Sequence, residues 1–385
     1  MKIALVHKRL DLKGGTERDL FQTAEGLRDL GHEVHLFCSE YGVKPPRDVV
    51  AHPVLVMPLG RTLRLWSFAW FAQSAINKAD CDVVVGFGRL WRQDALRCGG
   101  GTHRGFLRRL GADGGWRRRF WQNVSVYHQS LLAIEKRQYH PMSPRIIIAV
   151  SEQVKRDIIA NYSVPAEKIV VLYNGVDKNR FHPARRVEVR DQVRNRWNIP
   201  FNAPLVLFVG SGFRRKGLDR LLSIWKSPRL DKVFLLVVGT DARIRQYQSR
   251  ADSVAPGRIV FAGRQEDIEN YYAAADGLVL PSLQEAFGNV VVEALASGLP
   301  VVVSRDAGAS EIIRGSLAEG IFDRSNKPDT LERKLLWLLE KSSDPCCVQE
   351  ARKIAEEHSW ENHFRKLEAW LLEVGRRSTG GATGI

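Results

Sequence analysis

An alternation of short apolar runs with longer helical stretches constrains the fold of this chain more than any other sequence feature. In the first part of the chain, helical patterns such as 16–30 separate apolar runs that are short enough for buried strands. Those runs are 1–7, 33–37, 54–56, 82–86 and 145–150. Apolar strands joined by helices are typical of a mainly parallel sheet with helices on both faces, so we expect an α/β fold.

The same alternation starts again after residue 176, which indicates a second domain. Five further apolar runs, separated by helical patterns, are 205–210, 233–239, 259–263, 277–281 and 300–304. A strand at 168–172 and the turn Asn174-Gly175 precede them. Because 385 residues are many for one hydrophobic core, we predict two doubly wound domains, 1–175 and 176–359. We expect the amphipathic helix 360–375 to pack back onto the first domain.

The chain is strongly basic, with a net charge of +15 and a pI of about 9.8, which predicts anionic partners. Its cysteines, at 38, 81, 98, 346 and 347, have neither metal-ligand spacing nor a disulfide framework, which favours a reducing compartment. The first apolar run is too short for a signal peptide, and Arg64 interrupts the apolar segment 63–76. We therefore expect a cytoplasmic protein. Asp80-Cys81-Asp82 has the Asp-x-Asp pattern of a metal clamp, but it precedes its strand and so lies at the wrong edge of the sheet. We therefore expect no metal site there.

Arginines stand beside aromatic residues between Arg104 and Trp121. This composition suits an anionic membrane surface, with rings at the headgroup level and guanidinium groups on phosphates. It also suits single-stranded nucleic acid, whose bases stack on aromatic rings. A solvated basic helix with a few core aromatics is the third interpretation.

The glycine pair Gly14-Gly15 stands before the first helix and has two interpretations. The glycines allow a ligand to approach the backbone, while the helix N-terminus offers amide donors to a phosphate. Alternatively, Thr16 with Asp19 forms a capping box, which satisfies the amides at the N-terminus of the helix without any ligand.

A second glycine-containing turn, 210–217, follows a strand and precedes a helix. Its sequence, Gly-Ser-Gly-Phe-Arg-Arg-Lys-Gly, combines glycines for close approach with three cations. With a helix N-terminus behind it, this turn predicts a diphosphate site. A solvated basic loop is the alternative.

Glu285 and Glu293 lie in a segment, 276–298, whose pattern predicts a strand, a loop and a helix. On one continuous helix the two carboxylates would be roughly 80° apart and about 12 Å apart along the axis, which is poor geometry for an acid/base pair. With Glu285 in the loop and Glu293 in the helix, both can face the crevice at the carboxyl end of a parallel strand. Carboxylates only accept hydrogen bonds, which favours a hydroxyl-rich ligand. The alternative is two solvated charges at helix ends.

Several motifs together carry a resemblance to a known family. They are Gly15 with Glu17, the turn 215–217, 174–177 (Asn-Gly-Val-Asp), 285–288 (Glu-Ala-Phe-Gly) with Glu293, and 298–300 (Gly-Leu-Pro). In these motifs, which span nearly the whole chain, the sequence resembles the GT-B glycosyltransferases of family 4. Within that family, 14–19, Thr102-His103-Arg104 and the basic-aromatic stretch look most like the lipopolysaccharide core glucosyltransferase I group.

The resemblance implies two Rossmann-like domains that face a cleft, with the acceptor on the N-terminal domain and a nucleotide sugar on the C-terminal domain. One departure is Ser211, where many relatives have an arginine. Carried over by position, the site comprises Glu293 for the ribose, Glu285 and the backbone of Phe287 and Gly288 for the donor sugar, Arg215 and Lys216 for the diphosphate, Gly15 for the donor, and His103 for the reacting sugar.

These expectations describe a retaining hexosyltransferase that moves glucose from UDP-glucose to a lipid-linked acceptor, such as the heptose of the lipopolysaccharide inner core. The resemblance implies neither a cofactor nor a metal. It places the enzyme on the cytoplasmic face of the inner membrane through Arg104 to Trp121, with no nucleic acid as partner. Another nucleotide sugar, such as GDP-mannose, or another acceptor fits the same motifs. A non-enzymatic module that binds nucleic acid is the more distant alternative.

Overall fold

A computed structural model describes residues 1–12, 14–108, 125–140, 144–323 and 327–379 of the chain. The chain divides into two compact units. Unit 1 is Met1–Tyr173 together with His363–Ile385, and unit 2 is Asn174–Asn362. Each unit contains one large sheet of parallel strands, which confirms the predicted α/β fold.

Unit 1 has a seven-stranded parallel sheet. The strands described in this unit are β1 (Lys2–Val6), β2 (Arg9–Leu10), β3 (Glu33–Cys38), β4 (Glu40–Tyr41), β5 (Val50–Pro53), β6 (Val83–Gly86), β7 (Ala95–Cys98), β8 (Ile146–Ala149) and β9 (Ile169–Val171). The large sheet has the order β5-β3-β1-β6-β7-β8-β9, and β2 pairs with β4 separately. The strand order therefore reverses between β1 and β6.

Unit 2 has a six-stranded parallel sheet. Its strands are β10 (Leu205–Val209), β11 (Phe234–Val238), β12 (Ile259–Gly263), β13 (Gly277–Leu280), β14 (Val301–Ser304) and β15 (Ile321–Phe322). Their order, β12-β11-β10-β13-β14-β15, is that of a doubly wound Rossmann sheet. Here the reversal falls between β10 and β13.

Helices pack on the faces of both sheets. The labelled helices are α1 (Gly15–Asp29), α2 (Gly60–Ala79), α3 (Val126–Gln138), α4 (Glu152–Tyr162), α5 (Arg185–Arg196), α6 (Phe213–Lys216), α7 (Leu218–Ile224), α8 (Ile244–Val254), α9 (Ile268–Ala274), α10 (Asn289–Ala296), α11 (Pro328–Lys341), α12 (Pro345–Glu357) and α13 (Trp360–Thr379). Residues 103–108 are also helical. Among the described helices, none is both long and apolar enough to cross a membrane.

Strand β1 shows why the unit 1 sheet is covered on both faces. Ile3 and Leu5 pack into one hydrophobic core, whereas Ala4 and Val6 pack into another. Alternate residues of a strand point to opposite faces, so a strand that is apolar throughout needs a helix on each side. The first core contains Leu20, Ala24 and Leu27 of α1 and Leu367, Leu371 and Val374 of α13, and the second contains Phe68, Ala72 and Ile76 of α2.

The sequence prediction was wrong at three places in unit 1. The edge strand next to β3 is β5, at Val50–Pro53, and the predicted strand 54–56 is absent. Strand β7 was not predicted because Arg97 interrupts its apolar pattern. Arg97 is nevertheless buried, since it donates hydrogen bonds to Asp19 and to the Leu172 carbonyl, both at 3.0 Å. Because Asp19 is engaged in this way and α1 has no side-chain cap, the capping-box interpretation of the Gly14-Gly15 turn is wrong as well.

An ionic cluster fastens helix α5 of unit 2 to the start of β13. Asp276 contacts Arg186 at 2.6 Å and both Arg190 and Arg194 at 3.0 Å, and it accepts the Leu205 amide at 2.8 Å. Arg194 is fully buried. Burial raises the pKa of Asp276, but the arginines and hydrogen bonds outweigh burial and leave that pKa below its ordinary value.

We expect Asp276→Asn to lower the free energy of unfolding by about 3–5 kcal/mol at pH 7, because it leaves a buried arginine without its counter-charge. Urea denaturation followed by circular dichroism measures this loss. Because the folded-state pKa is lowered, the contribution is present above the ordinary value of 3.8 and disappears as the pH falls through the folded-state value. The difference between wild type and variant should therefore shrink in acid.

Asp231→Asn is the matched control for this prediction. Asp231 is exposed and lies 3.6 Å from Arg258, so its loss should cost at most about 1 kcal/mol. Equal losses for the two variants would contradict a structural role of the buried cluster.

Candidate active site

Two loops of unit 2 meet where the strand order reverses. Strand β10 leads into the turn 210–217, its neighbour β13 leads into the loop 281–288, and the Leu283 amide donates to the Arg215 carbonyl at 2.8 Å. Gly217, with a φ of +82°, allows this approach, because a Cβ would lie 2.0 Å from the Pro281 carbonyl oxygen. The fold thus brings together both segments that the sequence singled out, at the switch point where open α/β sheets bind ligands.

The carboxylate of Glu285 lies between the two cations of the turn. Its Oε2 atom accepts a hydrogen bond from Nη1 of Arg215 at 2.8 Å and lies 3.0 Å from Nζ of Lys216. Burial raises the pKa of Glu285, but the two cations together outweigh burial and lower it. Glu285 is therefore ionised at neutral pH. Among the described residues, no donor bonds its other oxygen, Oε1.

The turn that carries these cations differs from the sequence prediction in two respects. Arg215 and Lys216 lie in the single helical turn α6 instead of an open loop. Gly210 makes room for the protein and not for a ligand, because a Cβ there would lie 2.4 Å from Cδ of Lys216. At the start of α6 the Phe213 amide already donates to Asp241 at 2.8 Å. The Phe213 amide is therefore already engaged, whereas the side chains of Arg215 and Lys216 supply positive charge.

Backbone hydrogen bonds hold the loop that follows Glu285. The Glu285 amide donates to the Asp306 carbonyl at 3.1 Å, and the Ala309 amide donates to the Phe287 carbonyl at 2.8 Å. The Phe287 side chain is buried. Gly288 then takes a φ of +103°, which favours glycine, directly before helix α10. The backbone therefore fixes the position of Glu285 independently of its ion pairs.

Glu293 lies in helix α10, and the predicted strand, loop and helix of 276–298 are all present. Its Oε2 atom accepts the hydroxyl hydrogen of Tyr272 at 2.7 Å. The ring of Phe181 meets that of Tyr272 edge-on, with centroids 5.5 Å apart. Because Glu293 is only 9% exposed, it is not a solvated charge at a helix end.

His103 lies in unit 1, where its surroundings keep the imidazole neutral. Burial lowers the pKa of His103 to about 4, with further lowering by Arg89 and His128, against an opposing effect of Glu135. Its Nε2 atom lies 3.1 Å from Nδ1 of His128, and the two rings stack with centroids 5.2 Å apart. A neutral imidazole offers one hydrogen-bond donor and one acceptor.

Glu135 holds the segment that carries His103. This buried carboxylate accepts the backbone amides of His103 at 2.6 Å and Arg104 at 3.0 Å, and the Tyr162 hydroxyl at 2.5 Å. Nη2 of Arg89 lies 2.9 Å from its Oε1. Sequence reasoning missed Glu135 because a glutamate within a helical pattern carries no sign that it is buried.

A cavity of about 500 Å³ lies at the carboxyl ends of the unit 1 strands. Residues after β1 and after β6 line it, so it occupies the switch point of this sheet. Its charged lining consists of Lys8, Arg9, Arg61, Arg64, Arg89, Arg97, Glu17 and Glu40. Glu40 is bonded to Arg9 and to Arg64. Arg61 lies over the ring of Tyr127, 4.4 Å from its centroid.

The cavity was not predicted, although one of its residues carried a usable signal. Lys8 follows the first strand, and so it stands at the carboxyl edge of the sheet. Arg61 belongs to α2, and nothing in the sequence placed that helix beside the strand end. The lining is suited to a ligand that has both negative charge and hydroxyl groups.

Gly15 is the first residue of α1, next to Thr16 and Glu17 of the cavity wall. A Cβ at Gly15 would meet nothing within 4 Å, whereas one at Gly14 would lie 2.0 Å from Oε2 of Glu17. Gly14 is therefore the glycine that packing requires. Lys13, which directly precedes the glycine pair Gly14-Gly15, lies outside the described residues.

Most of the basic-aromatic stretch from Arg104 to Trp121 also lies outside the described residues. In its described part, the Arg104 guanidinium lies 5.0 Å from the centroid of the Tyr162 ring, and Arg108 donates to Asn161 at 3.2 Å. The role of this stretch at a membrane stays a prediction.

Comparison with known families gives two matches that together span most of the chain. Residues 13–180 match the family described as Glycosyltransferase Family 4, and residues 189–358 match Glycosyl transferases group 1. The division between the two matches falls after the junction of units 1 and 2.

Two relatives cover about four fifths of the chain. A probable transglycosylase of Burkholderia thailandensis is 30% identical over 82% of this chain and 81% of its own length. The lipopolysaccharide glucosyltransferase WaaG of Escherichia coli strain K12 is 26% identical over 78% of this chain and 79% of its own.

Two solved structures show the same fold over nearly the whole chain. The crystal structure of WaaG, described as a glycosyltransferase involved in lipopolysaccharide biosynthesis, gives a TM-score of 0.80 at 21% identity and covers 96% of this chain and 99% of its own. Anabaena HepE, solved in complex with UDP-glucose, gives a TM-score of 0.72 at 18% identity and covers 97% and 100%.

We expect an NMR pH titration of the His103 ring to show a midpoint near pH 4 instead of the ordinary 6.5. The His103→Asn variant assigns the resonance. Because the unfolded chain takes up this proton at the higher pH, the residue's contribution to stability falls as the pH drops from 6.5 to 4. A midpoint near 6.5 would show that the imidazole is not held neutral by its surroundings.

Proposed function

Because the chain belongs to the family 4 glycosyltransferases and has their GT-B fold, we propose that it is a retaining hexosyltransferase. In this proposal the donor is UDP-glucose, and the acceptor is a lipid-linked saccharide such as the heptose of the lipopolysaccharide inner core. The names of two similar proteins support these assignments, since WaaG is a lipopolysaccharide glucosyltransferase and HepE was solved with UDP-glucose. The observation that carries the proposal is the contact of Glu285 with Arg215 and Lys216.

Glu293 is assigned to the ribose of the donor. The vicinal hydroxyls of a ribose donate two hydrogen bonds, and a buried carboxylate is the side chain best suited to accept both. The bond from Tyr272 orients this carboxylate before any ligand arrives, which reduces the entropy that binding must overcome. The backbone amides of Phe287 and Gly288, at the end of the rigid loop, are assigned to the donor sugar.

Arg215 and Lys216 are assigned to the diphosphate of the donor. When the bond between the sugar C1 and the phosphate oxygen breaks, the sugar becomes cationic in character and the diphosphate gains negative charge. Cations that are already in place stabilise this transition state more than the ground state. Glu285 holds both cations near each other before the donor binds, so only a local exchange of partners is needed when the diphosphate arrives.

Glu285 has a second role in this scheme. A diphosphate that binds Arg215 and Lys216 competes with Glu285 for them and frees its carboxylate to accept the hydroxyls of the donor sugar. Glu285 therefore offsets one of the two positive charges before the donor binds, and the diphosphate offsets both afterwards. In this role Glu285 positions the sugar and does not act as a nucleophile.

The proposed transfer proceeds on one face of the sugar, which retains the configuration at C1. The bond from C1 to the diphosphate breaks, a bond from C1 to the acceptor oxygen forms, and the acceptor proton passes to an oxygen of the departing diphosphate. Neither an enzyme nucleophile nor a metal ion takes part in this scheme. The neutral ring of His103 is assigned a hydrogen bond to the transferred sugar.

The acceptor is assigned to the cavity of unit 1. Lys8 and Arg61 supply positive charge for a phosphorylated saccharide, and Glu17 supplies a hydrogen-bond acceptor for its hydroxyls. A lipid-linked acceptor requires an enzyme that works at a membrane surface, so we place the protein on the cytoplasmic face of the inner membrane. Another nucleotide sugar or acceptor fits the same groups and is the alternative to this assignment.

A panel of nucleotide sugars tests the donor assignment through thermal stabilisation. A ligand at a hundredfold excess over its Kd stabilises the folded protein by about 2.7 kcal/mol, so UDP-glucose should raise Tm clearly. GDP-mannose at the same concentration should raise it less. A larger increase in Tm with GDP-mannose than with UDP-glucose would identify GDP-mannose as the better donor and leave the family assignment intact.

We predict that Glu293→Ala weakens UDP binding roughly 30- to 100-fold, because two hydrogen bonds to a charged group are lost. Isothermal calorimetry measures the affinity. Glu319→Ala, which removes an exposed glutamate of the same unit, is the control and should bind UDP as wild type does. Unchanged affinity in Glu293→Ala, with an unaltered Tm, would falsify the ribose assignment.

We predict that Lys216→Met lowers kcat for UDP-glucose turnover roughly 100- to 1,000-fold, as expected when a charge that stabilises the leaving group is removed. Methionine keeps an unbranched stem against Gly210 and removes only the ammonium group. Arg229→Met, which removes an exposed arginine of unit 2, serves as the control. If Lys216→Met raised KM and left kcat unchanged, the side chain would serve ground-state binding alone.

A further inference from the structure

His7 directly follows strand β1, at the point where the strand order of the unit 1 sheet reverses. It belongs to the wall of the cavity in this unit, and only 7% of it is exposed. Its backbone amide donates to the Phe37 carbonyl at 3.2 Å, which continues the pairing of β1 with β3 by one residue. The sheet therefore fixes the backbone from which this imidazole projects.

One contact determines which ring nitrogen of His7 carries the proton. The Nδ1 atom lies 2.8 Å from the Arg9 carbonyl oxygen. Because a carbonyl oxygen only accepts hydrogen bonds, this contact requires Nδ1 to be the donor. The Arg9 amide nitrogen lies 3.4 Å from the same atom, and this longer contact is the weaker of the two. A neutral ring with its proton on Nδ1 has a free electron pair on Nε2.

The surroundings of His7 keep its ring neutral at pH 7. Burial has the largest effect and lowers the pKa of His7 below its ordinary value of 6.5. The hydrogen bond to the Arg9 carbonyl, Glu17 and Asp11 raise this pKa without offsetting burial, and Lys8 lowers it further. Nε2 is therefore a hydrogen-bond acceptor at neutral pH.

This Nε2 atom has no hydrogen-bond partner among the residues that the structure describes. Gly88, another residue of the cavity wall, lies beside the ring edge that carries it. A Cβ at Gly88 would lie 3.1 Å from Cδ2 and 3.8 Å from Nε2 of His7, so the glycine keeps a side chain away from this edge. Buried acceptors are normally satisfied by a donor. At this place the cavity is the space from which a donor can come.

A hydroxyl group is the ligand group that suits this nitrogen. A phosphate oxygen is itself an acceptor, so it would require a proton on Nε2, which burial disfavours. The next residue, Lys8, offers the opposite chemistry to the same cavity. It is exposed and makes no ion pair with a described residue. Two neighbouring residues of the wall therefore present an acceptor for a hydroxyl group and a cation for a phosphate.

We propose that His7 is a further acceptor-binding residue, whose Nε2 atom takes a hydrogen bond from a hydroxyl group of the saccharide in the unit 1 cavity. Lys8 binds a phosphate of the same molecule, so the two side chains together orient a phosphorylated saccharide. The proposal rests on the assignment of the acceptor to this cavity. His7 does not remove the proton of the reacting hydroxyl, which passes to the diphosphate as described above.

Two substitutions of His7 separate the contributions of its ring nitrogens. In His7→Asn the amide nitrogen can replace Nδ1 as the donor to the Arg9 carbonyl, but no atom replaces Nε2. In His7→Gln the longer side chain places an amide oxygen near the position of Nε2. The matched control is His182→Asn, which removes an exposed histidine of unit 2.

The acceptor probe is the heptose-containing inner-core oligosaccharide of lipopolysaccharide, phosphorylated and freed of lipid, with UDP-glucose as donor. We expect His7→Asn to raise KM for the oligosaccharide roughly three- to tenfold, as the loss of one hydrogen bond predicts, and to lower kcat less. His7→Gln should restore most of this loss, and the control should behave as wild type. A loss that His7→Gln leaves unrepaired would show that the ring serves packing, and would overturn the proposal.

NMR of the ring nitrogens gives an independent measurement on wild-type protein made with isotope-labelled histidine. At pH 7 we expect Nδ1 of His7 to be protonated and Nε2 to be unprotonated, and the resonances missing from either His7 variant assign the ring. Addition of the oligosaccharide should shift the Nε2 resonance of His7 and leave those of His182 in place. A proton on Nε2 in the free protein would overturn the proposal, even where a variant fails to fold.

Calorimetry with UDP separates this proposal from the proposed function. Equal KM for the oligosaccharide in wild type and His7→Asn would reject the role of His7 and leave the proposed function intact. A loss of UDP affinity in folded His7→Asn would assign the ring to the donor and overturn the proposal. If wild type binds UDP but transfers no glucose to the oligosaccharide, the acceptor assignment fails, and the role of His7 fails with it.

Discussion

The reversal of strand order in each parallel sheet is the constraint on which the functional groups depend. Between β10 and β13 in unit 2, and between β1 and β6 in unit 1, consecutive connections leave toward opposite faces of the sheet. The loops at the carboxyl ends of those strands therefore diverge and leave a crevice. In unit 2 the crevice is bordered by the segments that carry Arg215 and Glu285, and in unit 1 it is the cavity beside Lys8.

Two carboxylates of unit 2 show how similar ionic contacts serve different ends. Asp276 and Glu285 each lie among arginine or lysine side chains, and both have a lowered pKa. Asp276 shares its site with fully buried Arg194, so its charge only joins a helix to a strand. The guanidinium of Arg215 beside Glu285 is half exposed, which leaves its charge accessible to a ligand. Exposure of the cation, more than the presence of the pair, separates the candidate site from the structural cluster.

Much of the fold and of the candidate site was predictable because the relevant signals are local. Buried parallel strands are short apolar runs, and the positive φ of Gly288 explains a glycine between Glu285 and Glu293. The errors arose where distant partners decide. Strand β7 was missed because the charge of Arg97 is compensated by Asp19, far away in sequence. Gly210 was assigned to a ligand, although the stem of Lys216 occupies its space.

The sequence by itself determined the α/β class, the repeated doubly wound arrangement, the family, and the strand-loop-helix frame that carries Glu285 and Glu293. The class, the arrangement and the frame follow from periodicity and from glycines at positions of positive φ, which are properties of neighbouring residues, whereas the family follows from the resemblance of its motifs. The tertiary structure alone decided that Glu285 pairs with Arg215 and Lys216, that Glu135 holds the segment of His103, and that His7 lies in the wall of a cavity. Burial and electrostatic partners depend on which chain segments meet in space, and only the folded chain brings them together.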